Sequence, residues 1–160
     1  MDKDALRGII SEVEGELDNL GELMKEMREI RSKESIIFRR SKGSILHDFY
    51  NCCERIFKKI ATDINGGHED GDKWHKALLF KMTIPIKQIR PAVISEELAA
   101  GLDEYLSFRH VFRNIYGFEL KGDRIDYLAS KFEKTANDFI SEIKSFLDFL
   151  NRELGEEDGA

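Results

Sequence analysis

The sequence predicts an all-α protein, an antiparallel four-helix bundle with a short extra helix in the crossover between the second and third long helices. Three observations carry this. Apolar residues recur at spacings of three and four over four long segments. Only two prolines occur in 160 residues, and both fall in one short stretch. No alternating run bounded by turn residues marks a hairpin.

The first segment sets Leu6, Ile9, Val13, Leu17, Leu20, Met24 and Met27 on one stripe, with acids and bases between them. The second runs from about Ile36 to Ile64 and carries Ile45, Phe49, Cys53, Ile56 or Phe57, Ile60 and Ile64. Asn65-Gly66-Gly67 ends it, and Gly43 is a place where it kinks or starts. The third long helix begins after Ser95, an N-cap residue followed by Glu96 and Glu97, and runs to Gly117. The fourth starts near Asp123 and shows Ile125, Leu128, Phe132, Phe139, Ile143, Phe146 and Leu150.

Between the second and third long helices, Lys73 to Met82 reads as a short helix anchored by Trp74 and Leu78. The following stretch, Thr83 to Ile94, holds Pro85 and Pro91, which push their preceding residues away from helix. Its isoleucines imply that the connector packs on the bundle. The reading is one domain over residues 1–154, with residues 155–160 as a frayed acidic tail.

Composition narrows the function. Acids outnumber bases 31 to 25, a net charge of −6, so any polyanion must meet a local basic patch. No apolar run reaches the roughly 20 residues that cross a bilayer. Met1-Asp2-Lys3-Asp4 has no signal-peptide character, and a cytoplasmic location is expected. The neighbouring Cys52 and Cys53 read as buried thiols in a reducing compartment, and no metal or cofactor is expected. A competing metal reading groups His68, Glu69, Asp70, Asp72 and His75, whose spacing matches no standard site.

One window stands out. From Tyr105 to Phe118 the chain has no acid, yet it holds Arg109, His110, Arg113, Asn114 and five aromatics, Tyr116 among them. On a helical wheel Arg113 falls about 40° from Arg109 and Tyr116 about 20° to its other side. Phe108, Val111, Phe112 and Ile115 form the expected core arc. Leu98, Leu102 and Tyr105 share the side of Arg109 and form a second apolar arc, which predicts a homodimer. The simplest alternative pairs Arg109 and Arg113 with acids of neighbouring helices. Arg39-Arg40 with Lys42, and Arg55 with Lys58 and Lys59, are two further basic clusters that could extend an RNA-binding surface.

The set Arg109, Asn114 and Tyr116 resembles the Arg-x4-His-x-Tyr signature of HepT-like toxins, within the HEPN superfamily of helical ribonucleases, and His110 matches the polar residue that follows the arginine there. The runs Arg90 to Leu98 and Phe108 to Leu120 resemble one HepT-like subfamily. The resemblance implies an RNA-binding or metal-independent RNA-cleaving component of a toxin–antitoxin pair, controlled by a cognate nucleotidyltransferase antitoxin. It implies that two copies of the motif face each other across a dimer cleft. Arg109 and Arg113 would hold phosphate, His110 or Asn114 would contact the 2′-OH or leaving group, and Tyr116 would be the residue that the partner modifies with AMP. The chain departs from the signature at Asn114, where the family has histidine. Asparagine cannot exchange a proton near neutral pH, so a non-catalytic bundle dimer that binds the nucleotidyltransferase or another protein is the alternative function.

Overall fold

In the computed structural model residues 1–64, 73–114 and 122–158 are described, without the side chains of Asn114 and residues 156–158. Five helices follow in order: α1 (Lys3–Ile30), α2 (Ile36–Ile64), α3 (Trp74–Lys81), α4 (Glu96–Asn114) and α5 (Gly122–Asp158). The four long ones form the bundle and α3 is the short crossover helix. The fold class is the one the apolar spacing predicts. The sequence-read turn Asn65-Gly66-Gly67, the residues His68 to Asp72, and Ile115, Tyr116 and Gly117 lie outside the described residues.

Helix α2 is the axis of the molecule, since it touches all four others, while α1 packs on α2 and α5 and α4 packs on α2, α3 and α5. That demand widens its buried face. Tyr50 and Ala61 are buried beside the expected stripe of Ile45, Phe49, Cys53 and Ile60, and both Ile56 and Phe57 are buried where the stripe required one. Phe49 sits at the centre, edge-on to Tyr105, Phe132 and Phe139 at ring separations of 5.2, 5.1 and 6.3 Å, the arrangement that aromatic quadrupoles favour. Gly43 does not start α2. It lies inside the helix, where a Cβ would meet Phe112 Cε2 at 2.9 Å, so its missing side chain is what lets α4 approach.

Helix ends follow the expected chemistry. Asp2 caps α1 by accepting from the Asp4 amide, and Ser95 Oγ accepts from the Leu98 amide at the start of α4. Glu133 of α5 takes hydrogen bonds from both Arg28 and Arg31, which ties the end of α1 to α5.

Three expectations are corrected. Leu98, Leu102 and Tyr105 are not a surface arc: they are 6%, 0% and 1% exposed inside this chain's own core. A single bundle covers them because α4 is buried against α2 on one side and α5 on the other, and the Tyr105 hydroxyl donates to Leu128 O of α5 at 3.0 Å. Conversely Val111, assigned to the core arc, is 51% exposed. The connector also packs only in part. Val93 and Ile94 are buried and Arg90 pins the loop by donating to the carbonyls of Lys81, Ile84 and Pro91, but Ile84 and Ile89 face outward. Helix α5 runs to Asp158.

Candidate functional site

Arg109 points into the α2–α4 interface and is 4% exposed. Its guanidinium donates through Nη1 to Glu54 Oε1 and through Nη2 to Glu54 Oε2, both at 3.1 Å. Such a two-pronged pair matches the planar fork of arginine to the carboxylate. Nη1 also donates to Asn51 Oδ1 at 2.8 Å, and the Tyr50 ring lies under the guanidinium, 4.9 Å from Cζ to the ring centroid. The Tyr50 hydroxyl has no hydrogen-bond partner among the described residues. Burial raises its pKa far above the ordinary phenol range and keeps it neutral.

The third side of the pair is His75, from α3. Its Nδ1 lies 2.8 Å from Glu54 Oε2 and 3.0 Å from Arg109 Nη2. The Trp74 ring lies beside it, tilted by 31° with ring centroids 3.7 Å apart, and Lys58 Nζ sits 4.3 Å above the Trp74 ring. At the other end of the seam the Asn51 amide meets His47 Nδ1 at 3.3 Å, and His47 packs on Phe112. His47, Asn51, Glu54 and Lys58 are spaced four, three and four apart, so one face of α2 presents them in a row. A polar seam thus runs between α2, α3 and α4, buried at the Glu54–Arg109 pair and half-buried at His47, Asn51 and His75.

The sequence-read residues therefore divide. Arg109 is held by an acid of a neighbouring helix, the simplest of the sequence readings. His110 and Arg113 are exposed on the last turn of α4. Asn114 is the last residue of that helix, and Tyr116 lies outside the described residues. Glu54, Asn51, His47 and the role of His75 were not found from the sequence. One signal was available for Glu54. At about 100° per residue it borders the arc of Tyr50, Phe57 and Ala61, and a charge on the edge of an apolar arc requires a partner.

The further basic clusters are largely neutralised. Arg55 donates twice to Glu16 of α1, Lys59 pairs with Glu12 and Asp63, and buried Lys42 faces Asp126 at 3.9 Å. Arg39 and Arg40 are exposed. Cys52 and Cys53 are buried free thiols, as the sequence suggested; burial pushes the Cys52 thiol up to about 11. Among the described residues no cluster of three or more His, Cys, Asp or Glu side chains could hold a metal ion. No helix there is long and apolar enough to cross a membrane.

A family model described as HepT-like protein matches residues 41–150, which take in the arginine and its partners on α2, α3 and α4. The chain belongs to the HepT-like family. Searches of curated proteins and of solved structures returned no match. In this HepT-like chain Arg109 is thus the buried centre of an interhelical network, and the exposed His110 and Arg113 follow it on the same helix.

Proposed function

We propose that this HepT-like protein is the RNA-directed component of a toxin–antitoxin pair, governed by a cognate nucleotidyltransferase antitoxin. Family membership carries the reading, together with an acid-free, exposed end of α4 held in place by Arg109. The arginine that the motif supplies is committed to Glu54, so Arg113, one turn further on and exposed, takes the phosphate. Arg109 orients the turn from which Arg113 and His110 project. Tyr116 is proposed as the residue on which the partner acts.

A homodimer belongs to the same proposal. It rests on the family habit of facing two motifs across a cleft, since the Leu98–Leu102–Tyr105 arc is core. Cleavage at a ribose 2′-OH needs no metal, so EDTA leaves activity unchanged.

The test is binding of single-stranded RNA by fluorescence anisotropy over a salt series. Affinity falls as salt rises, with a slope of about −0.7 per phosphate contacted. Arg113→Ala weakens binding and flattens that slope by one contact. Absence of salt-dependent RNA binding overturns the reading. Growth after induced expression, alone and with a neighbouring nucleotidyltransferase gene, tests the toxin and antitoxin roles.

A further inference from the structure

The RNA-cleaving form of the proposed function lacks the motif histidine, because Asn114 stands at its position. A histidine is nonetheless built into the polar seam from another helix. We propose that His75, positioned by Glu54, is the proton-transfer group that serves this chain in place of the motif histidine. The inference rests on the RNA-directed reading and deepens it, since it commits the chain to cleaving RNA rather than only binding it.

Geometry fixes the protonation pattern. Nδ1 has Glu54 Oε2 at 2.8 Å and Arg109 Nη2 at 3.0 Å, and one nitrogen cannot donate to the first while accepting from the second. If Nδ1 accepted from Arg109, its lone pair would face a carboxylate oxygen at 2.8 Å, which is repulsive. If Nδ1–H donates to Glu54, the contact is favourable and Arg109 Nη2 is still satisfied by Glu54 Oε2 at 3.1 Å. Nδ1 therefore carries a proton, and in the neutral ring the Nε2 lone pair is the one left available as a base. Among the described residues no hydrogen bond engages Nε2, and the His75 side chain is 31% exposed while those of Glu54 and Arg109 are 7% and 5%. One ring nitrogen is anchored in the seam and the ring reaches the surface.

Charge balance separates this role from simple satisfaction of the pair. Arg109 and Glu54 already cancel each other, and Asn51 takes the remaining Nη1 contact. The pair does not require His75. His75 gains from the pair, because a carboxylate on Nδ1–H holds the tautomer and the ring orientation. Glu54 and Arg109 are then positioning residues.

The step balances without a further reactant. Nε2 accepts the 2′-hydroxyl proton, the 2′-oxygen bonds to phosphorus, and the bond from phosphorus to the 5′-oxygen breaks. The 5′-oxygen takes a proton from solvent and His75 returns its own to solvent. The products are a 2′,3′-cyclic phosphate and a 5′-hydroxyl.

The experiment uses the full chain and a fluorescent single-stranded RNA, scoring affinity, kcat, KM and the chemistry of the new ends. His75→Gln keeps a hydrogen-bond donor for Glu54 but cannot carry the proton. It is expected to retain helicity and RNA affinity while kcat falls about 10²–10⁴-fold with little change in KM. His75→Ala is expected to regain cleavage when imidazole is added, and wild type to leave cyclic phosphate ends. Wild-type cleavage that His75→Gln matches overturns the assignment of His75 and leaves the RNA reading intact. RNA binding without cleavage by wild type overturns it too, again sparing that reading. Failure of wild type to bind RNA overturns both.

Discussion

Glu54 on α2 and Arg109 on α4 meet through two parallel hydrogen bonds of 3.1 Å, with both side chains almost fully removed from solvent. They are 55 residues apart in the chain. The acid missing from the window around Arg109 is therefore supplied by another helix, and the lack of acids on the last turns of α4 does not leave the arginine unpaired.

This pair gives Arg109 a structural role. Arg109→Ala strands a buried carboxylate and Glu54→Ala strands a buried guanidinium. Each single change is expected to lower unfolding free energy by about 3–5 kcal/mol. Replacing both with apolar residues of similar volume, as in Glu54→Leu with Arg109→Met, recovers most of the loss. Urea denaturation of the two single variants and the double variant measures the coupling. Additive losses would show that the two charges do not depend on each other.

Gly43 is a contact glycine. In a helix interior, Gly→Ala ordinarily stabilises by about 0.5–1 kcal/mol. Here the new Cβ would lie 2.9 and 3.3 Å from two Phe112 ring atoms, so Gly43→Ala is expected to gain little or to lose stability. In a Phe112→Ala background the same change should recover the ordinary gain. Thermal melts of the four proteins decide it, and a full gain in the wild-type background would show that the ring moves aside freely.

Leu102→Glu follows from the burial of that residue at 0% exposure. On the surface-arc expectation it would dissociate a dimer and leave helicity intact. In the core it places a carboxylate among Leu98, Tyr105 and their neighbours, which costs several kcal/mol. The expected outcome is loss of helical circular dichroism and of soluble protein. A well-folded Leu102→Glu monomer would restore the interface reading.

Acid weakens the tie between α1 and α2. Burial of Glu16 alone would raise its pKa, but the hydrogen bond and charge of Arg55 outweigh it and hold the carboxyl below the ordinary range. The unfolded chain thus binds this proton more readily, so stability rises with pH across the window. The contribution is complete above the ordinary carboxylate pKa of about 4.3 and is lost as pH falls through the lower folded value. Because Arg55 is 53% exposed, it is worth at most about 1 kcal/mol. Glu16→Gln is expected to lower stability at pH 7 by that amount and to leave it unchanged near pH 2, as read from urea midpoints. An equal loss at both pH values would assign the effect to packing.

The sequence by itself determined the helices and most of their ends. Period and capping are local: the α1 stripe, the Ser95 cap and the breaks at the two prolines all act within a few residues of themselves. The same locality placed Arg109, His110 and Arg113 on the last turns of one helix, and the motif pointed to the family. Only the tertiary structure decided what each face meets. Leu98, Leu102 and Tyr105 on α4 look like a spare surface until α2 and α5 close over them. The partners of Arg109 come from α2 and α3, 34 to 58 residues away in the chain. Polar contacts over such separations leave no periodic trace, because a buried charge requires one partner of opposite sign somewhere in space and imposes no spacing along the chain. The placement of His75 beside Glu54 is of this kind, a consequence of how the crossover helix seats on the bundle.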